Sequence, residues 1–419
     1  MKTLLTMTQL LCVALLLVAG CKKDDTVTGP VPIDIHGFVK DYYGQAYPNA
    51  IVKIGSAITS SDANGQFTIR GITPPYDISV IMTTYNLAVT YQGVTRPDPR
   101  LLYFGVLNSY HSATLSGSIP AVDNRTTMIA FVYGNRVNYY RAGPNTSSYS
   151  MTMYWYGPST VSGKLYLLRW APDANGFPLV YDGWGSQALS VSDGGSYTTN
   201  FAAGDLTDPD EATISGSVSA PANSTLSYRE FFVTLDSAQI YIAEEYPNPP
   251  MNFSYTVPKV NVQKASVIVG GYLPPDTTYS YHWKTGISDG ATGVTVPLNK
   301  GPRVLLPAGN ASNIDVNTDF SWTPGTGTGM HFIYFYPVSG SGPQFYVYTS
   351  KSTATIPDFS HQGMSLPGNT LYYWSVYQYS GLLSSDYLTS ETWLKSQVGS
   401  PLLEYGVAGS KTAGFTTKP

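Results

Sequence analysis

The sequence predicts an all-β chain of tandem antiparallel β-sandwich domains, and three observations carry that prediction. Of 419 residues, 40 are Gly, 30 Pro and 34 Tyr while only 12% are charged, so turn formers and aromatics crowd out helix formers. Short runs of alternating apolar and polar residues recur along the chain, separated by Gly, Pro, Asn and Asp, as half-buried strands joined by tight turns require. The segment Ala113-Thr114-Leu115-Ser116-Gly117-Ser118-Ile119 returns as Ala212-Thr213-Ile214-Ser215-Gly216-Ser217-Val218, which marks an internal repeat. The length exceeds what one ordinary domain holds, and two to four domains are expected.

At the N-terminus, Lys2 precedes an apolar run from Leu10 to Val18 that ends in small residues. A bilayer span needs about 20 apolar residues, so this run is too short to be one, and Lys22-Lys23-Asp24-Asp25 closes it. The ending Val18-Ala19-Gly20-Cys21 resembles the lipobox of bacterial lipoproteins. The resemblance implies that residues 1–20 are a discarded signal and that Cys21 carries the lipid. Each buried acyl methylene contributes about 0.8 kcal/mol and one chain anchors only marginally, so stable anchoring takes the several chains such lipoproteins carry. The basic-then-acidic tract after Cys21 is similar to the export signal of Bacteroidota surface lipoproteins, which implies the outer face of the outer membrane. A periplasm-facing anchor is the alternative.

Cys12 falls in the signal and Cys21 is the anchor, so no thiol is left for a disulfide, a CxxC metal site or a nucleophile. The formal charge is −4, and loss of Lys2 makes it one unit more negative. Without a basic stripe to displace counterions, nucleic acid is not an expected partner.

Residues 21–32 read as the lipidated cysteine and a tether, with Thr26 to Pro32 flexible. The first domain, residues 33–110, opens with the alternating strand Ile33 to Val39, turns at Asp41 to Gly44 and Tyr47 to Asn49, and continues with Ala50 to Ile54. Ser61 to Gly65 turns into Gln66-Phe67-Thr68-Ile69, and Tyr76 to Met82 is a further strand. The series I-x-G-x-V, D-x-x-G, P-N-A-x-V-x-I and D-A-N-G-x-F-x-I over residues 35–69 resembles the carboxypeptidase regulatory-like domain, a transthyretin-like sandwich. That family supplies an accessory β-domain with no catalytic residues. Asp62 and Asn64, like Asp173 and Asn175, lack the further oxygens of a calcium loop and read as turns.

The repeat displacement of 99 residues, from 113 to 212, also pairs Tyr154 with Phe253, Tyr156 with Tyr255 and Trp184 with Trp283. Two related sandwiches, residues 111–209 and 210–300, follow, with Asp205 to Asp210 as their boundary. The last domain, residues 301–419, contains Phe320-Ser321-Trp322 and then Leu366-Pro367-Gly368-Asn369-Thr370-Leu371-Tyr372-Tyr373-Trp374-Ser375-Val376. This order resembles a fibronectin type III domain, which implies that Trp322 and Trp374 are core and that Tyr372 is a corner tyrosine bonded back to the preceding backbone. The long segment Ser380 to Lys411 departs from that pattern and is a place to look for binding.

Catalytic and metal signatures are absent. The histidines His36, His111, His282, His331 and His361 have no HExxH or HxH spacing, no G-x-S-x-G elbow occurs, and Walker and dinucleotide glycine patterns are missing. Among carboxylates, Glu211, Glu230, Glu244 and Glu245 are scattered, and adjacent Glu244 and Glu245 would point to opposite faces of a strand. The expectation is a protein without catalytic residues, metal or cofactor. Exposed aromatics remain as a binding surface, since their faces can stack on sugar rings. With Tyr154 and Tyr156 inward, alternation turns Trp155 outward, and Trp155 and Trp393 are the candidate ligand-binding residues. The expected function is a lipid-anchored, surface-exposed binding or adhesion protein with a glycan or an envelope protein as partner. The glycan expectation also rests on the similarity in fold between transthyretin-like and starch-binding-like sandwiches, an analogy. A structural spacer or docking subunit of an outer-membrane complex is the alternative.

Overall fold

The same seven-strand order appears three times in succession. The computed structural model describes residues 30–104, 110–260, 264–274, 278–340 and 342–419, so Cys21 and the expected signal, residues 1–20, lie outside the described residues. The first sandwich comprises β1 (Ile33–Asp41), β2 (Ile51–Ile54), β3 (Ala57–Ser60), β4 (Gln66–Ile72), β5 (Tyr76–Met82), β6 (Leu87–Val94) and β7 (Arg100–Tyr103). The second comprises β8 (His111–Ser118), β9 (Thr126–Tyr133), β10 (Arg136–Ala142), β11 (Ser148–Trp155), β12 (Thr160–Pro172), β13 (Pro178–Ser192) and β14 (Ser196–Thr198). The third comprises β15 (Glu211–Ser219), β16 (Thr225–Leu235), β17 (Ala238–Glu245), β18 (Asn252–Pro258), β19 (Lys264–Leu273), β20 (Thr278–Ser288) and β21 (Val294–Pro297). In each, the first strand is flanked by the fourth, antiparallel, and the seventh, parallel, while the second, third, fifth and sixth strands build the facing sheet.

A glycine explains part of this repetition. Gly37, Gly117 and Gly216 lie opposite Phe67, Tyr149 and Phe253 on the fourth strand. At each, a Cβ would collide with that ring or with the backbone beside the seventh strand, at Pro99, Thr199 and Val294. Only glycine lets the three strands close. These pairings also correct the repeat register. Gly117 and Gly216 keep the 99-residue displacement, but the partner of Phe253 is Tyr149 and not Tyr154. The fourth strand of the third sandwich therefore arrives five residues later than the displacement predicts. An odd offset exchanges the two faces of a strand, and Tyr154 is exposed where Phe253 is buried.

The fourth sandwich comprises β22 (Arg303–Leu306), β23 (Ala311–Ile314), β24 (Phe320–Thr323), β25 (Gly329–Pro337), β26 (Gln344–Thr349), β27 (Thr353–Ala354), β28 (Leu371–Ser380), β29 (Tyr405–Gly409) and β30 (Ala413–Thr417), with helices α1 (Ser385–Leu388) and α2 (Glu391–Val398) between β28 and β29. Trp322, Trp374 and Phe415 are buried in its core. Tyr372 is buried as well, but its hydroxyl donates 3.0 Å to the Pro343 carbonyl at the start of β26, not to the turn just before β28. The Pro367 carbonyl in that turn is taken by the Thr417 hydroxyl at 2.6 Å.

Sheet pairing does not stop at the sandwich borders. β6 runs parallel to β26, and β29 pairs antiparallel with both β20 and β28, so first, fourth and third sandwiches share one 14-stranded sheet. Residues 33–419 form one compact unit. The second sandwich joins through side chains. Ile129, Phe131, Leu165 and Leu167 fill its own core, while Met128, Ala130, Val132, Tyr166, Leu168 and Trp170 on the other face of the same strands belong to the core of the third. Burial on both faces is why 128–132 and 165–168 read as unbroken apolar runs.

Candidate functional site

The departure at Ser380 to Lys411 is a clamp. The Ser390 hydroxyl caps α2 by accepting from Trp393 N at 3.1 Å. Asp386 in α1 accepts from Thr95 N at 2.8 Å, Arg100 N donates to the Thr389 carbonyl at 2.7 Å, and Glu391 pairs with Lys40 at 3.2 Å, all across to the first sandwich. Ser400 N donates to the Asn135 carbonyl in the second at 2.8 Å, and Ser400 Oγ accepts from Gln239 N in the third at 2.8 Å. Glu404 then pairs with Lys284 at 2.8 Å and His282 at 3.1 Å. These donors hold the Glu404 carboxyl below its ordinary range against the opposing effect of burial.

Where this clamp meets the β9–β10 hairpin lies an open cleft of about 390 Å³. One wall carries Tyr43 and Tyr156, stacked nearly parallel, with Tyr154 beside them; the other carries Phe232 and Trp283. Gln239 organises the far wall through its side-chain amide and its backbone N–H. Its Oε1 accepts from Trp283 Nε1 at 2.9 Å, its Nε2 donates to the Pro401 carbonyl at 3.0 Å, and its backbone N–H is held by Ser400. Asn135 Nδ2 donates to the Lys395 carbonyl at 2.9 Å, and Arg136 Nη2 donates to the Tyr43 carbonyl. Tyr154 is 50% exposed at the rim, with Tyr110 edge-on to it. The cleft thus offers aromatic rings held by hydrogen bonds, with polar groups between them.

Neither candidate tryptophan presents a face to solvent. Trp155 is 1% exposed, inward with Tyr149, Met151 and Met153, and its Nε1 donates 2.8 Å to the Pro158 carbonyl. The 99-residue displacement puts Tyr154 in phase with Phe253 and so turns Trp155 outward, opposite to its place in the structure. With the five-residue offset the faces exchange, and Tyr154 becomes the exposed ring, on the rim of the cleft that the Trp155 side chain backs. Trp393 is 6% exposed, packed edge-on against Tyr379 and Tyr405, because α2 lays it onto the shared sheet. Trp184 and Trp283, paired by the 99-residue displacement, are both half-buried, and Trp283 lines the cleft. Tyr43, Arg136, Gln239 and Trp283 come from three different sandwiches, so no local motif could have gathered them.

The remaining titratable groups are placed as follows. His111 Nδ1 pairs with Asp193 at 3.0 Å and its Nε2 reaches the Gly157 carbonyl at 3.0 Å, so both ring nitrogens are engaged. The Asp193 hydrogen bond raises the imidazole above its ordinary value. Glu230 and Glu244 sit directly opposite on β16 and β17. Burial, and then the Glu244 charge, push Glu230 up. Neither lines the cleft. Glu245 turns the other way, to the buried Arg229. Asp62 and Asp173 each accept two backbone N–H groups of their own turns. Among the described residues no group of three or more His, Cys, Asp or Glu could hold a metal ion, and no helix is long and apolar enough to cross a membrane.

No protein-family model matches the chain, and no curated protein matches it. Among solved structures it is similar to the Bacillus anthracis TIE protein, at 10% identity and a TM-score of 0.17, over 64% of this chain and 50% of that one. A leucine-rich repeat protein from Bacteroides thetaiotaomicron matches at 11% identity and 0.17, over 45% and 26%. A streptococcal ancillary pilin matches at 10% and 0.15, over 63% and 99%. The chain spans half the length of the first and about a quarter of the second. TM-scores this low carry no argument about fold or function.

Proposed function

We propose that the chain is a lipid-anchored, surface-exposed, non-enzymatic binding protein, held in the outer membrane through Cys21, whose junction cleft takes carbohydrate. The observation that carries this reading is the cleft itself: Tyr154, Tyr156, Tyr43 and Trp283 line it, with Arg136 and Asn135 among them as polar groups. Ring faces with a polar edge match the two faces of a sugar, apolar C–H above and hydroxyls around. Cleft walls already fixed by hydrogen bonds lose little freedom on binding.

The test is affinity electrophoresis of the chain without residues 1–20 in gels containing a panel of polysaccharides. Retardation by at least one glycan, with no release of reducing ends, is expected. No retardation by any would favour the spacer or docking role, as would stoichiometric co-purification with an envelope protein. Protease added to intact cells should remove the protein from the surface. Protection until the outer membrane is broken would contradict surface display.

A further inference from the structure

We propose that the chain carries a second, separate binding site for a single monosaccharide ring, in the cavity between the first sandwich and the 355–359 loop of the fourth. This site does not depend on the junction cleft.

The cavity measures about 230 Å³, too small for a chain of sugars. Its floor is a row across three strands of the first sandwich, where Lys53, Ser79 and Thr90 are successive ladder partners. The neighbouring positions on that face, Ile81 and Ala88, are part of the apolar core of the fourth sandwich. A polar row here interrupts a core that apolar residues would extend. Ser79 and Thr90 are 6% and 5% exposed and bond to each other at 2.9 Å. Asp77 and Asp358 stand at the rim, each with one carboxylate oxygen fixed by a backbone N–H, from Gly93 and Ser360, both at 2.9 Å. No ion pair joins Lys53 to either carboxylate. Gln92 Oε1 is buried without a hydrogen-bond partner among the described residues, which is unfavourable unless a ligand supplies a donor.

These groups ask for a ligand rich in donors. Two carboxylates and an orphan carbonyl oxygen accept, against the Lys53 ammonium and the Gln92 amide N–H groups that donate, and the hydroxyl pair can do either. A monosaccharide ring supplies donors around its whole edge. The excess negative charge orders the sugars: one bearing an ammonium binds best, a neutral one less well, and one bearing a carboxylate worst.

Equilibrium dialysis of the chain from residue 21 onward against glucosamine, glucose and glucuronate at neutral pH tests this. Glucosamine should bind at least about tenfold more tightly than glucuronate, with glucose between. Asp77→Asn and Asp358→Asn should shrink that ratio, and Lys53→Met should enlarge it. The two kinds of variant move in opposite directions, so general loss of structure cannot imitate the pattern. The same ordering of the three sugars is expected in the Trp283→Ala background, where the junction cleft no longer contributes to the sugar bound. No saturable binding of any of the three, a preference blind to charge, or loss of binding in Trp283→Ala would overturn the proposal.

Discussion

The second and fourth sandwiches are attached to the third in different ways. β29 hands the fourth to the third through main-chain hydrogen bonds, with Ser280 opposite Ala408 and Gln378 on the other side. The second is attached by side chains: Trp170, Tyr166 and Leu168 are buried against the third sandwich, and Arg141 lies over Trp170 and donates to the Tyr241 and Ile242 carbonyls. A backbone ladder is indifferent to which side chains it carries, whereas a packed face depends on each of them. The first contact should therefore be sensitive to backbone chemistry and the second to side-chain volume.

The largest effect should come from the packed face. Trp170 is fully buried, and Trp170→Ala should cost about 4 kcal/mol in urea unfolding, lost transfer energy plus cavity. A conservative change at Ala408, such as Ala408→Ser, should cost far less. Ala408→Pro should narrow that gap, because it removes a ladder donor between two strands. If Ala408→Pro proves neutral, the shared sheet is not what joins the two sandwiches.

The clamp lies between these cases, since it uses side chains to hold backbone. Asp386→Ala leaves the Thr95 and Arg96 N–H groups without their carboxylate and should cost about 1.5 kcal/mol. Hydrogen exchange should quicken in α1 and around Thr95 and leave β9 unchanged.

The smallest effect concerns a contact that opposes folding. Glu230 and Glu244 are like charges directly opposite on a ladder, and Glu230→Gln should stabilise by about 0.5 kcal/mol at neutral pH. Because Glu230 is raised in the folded state by burial and by Glu244, its contribution is fully present below the ordinary glutamate value and is lost as pH rises through the raised one. The variant's advantage should accordingly vanish at acid pH. His111 has the same sign: its raised folded value gives stability below the ordinary histidine range that fades as pH climbs past it. His111→Gln should flatten that part of the profile.

How much of this was legible in the sequence follows the same division. The strands were readable, because alternation at Ile33 to Val39 or Gln66 to Ile69 reports a half-buried face directly, and Gly117 and Gly216 mark the two first strands of the repeat. The Trp155 face was not, because strand phase depends on a five-residue difference in the chain between β8 and β11. Apolar runs such as 128–132 signalled burial on both faces without saying against what. The pairing of β29 with β20, and the meeting of Tyr43, Arg136, Gln239 and Trp283, depend on residues up to 240 positions apart and leave no local pattern.

The most direct test of the account is calorimetric titration of a retarding glycan into the wild-type chain, Trp283→Ala and Tyr154→Ala. An aromatic face on a sugar ring is expected to contribute about 1 kcal/mol or more. The prediction is that each variant binds at least about fivefold more weakly while its melting temperature stays close to that of the wild type. Unchanged affinity in both variants would contradict the assignment of the junction cleft as the binding site.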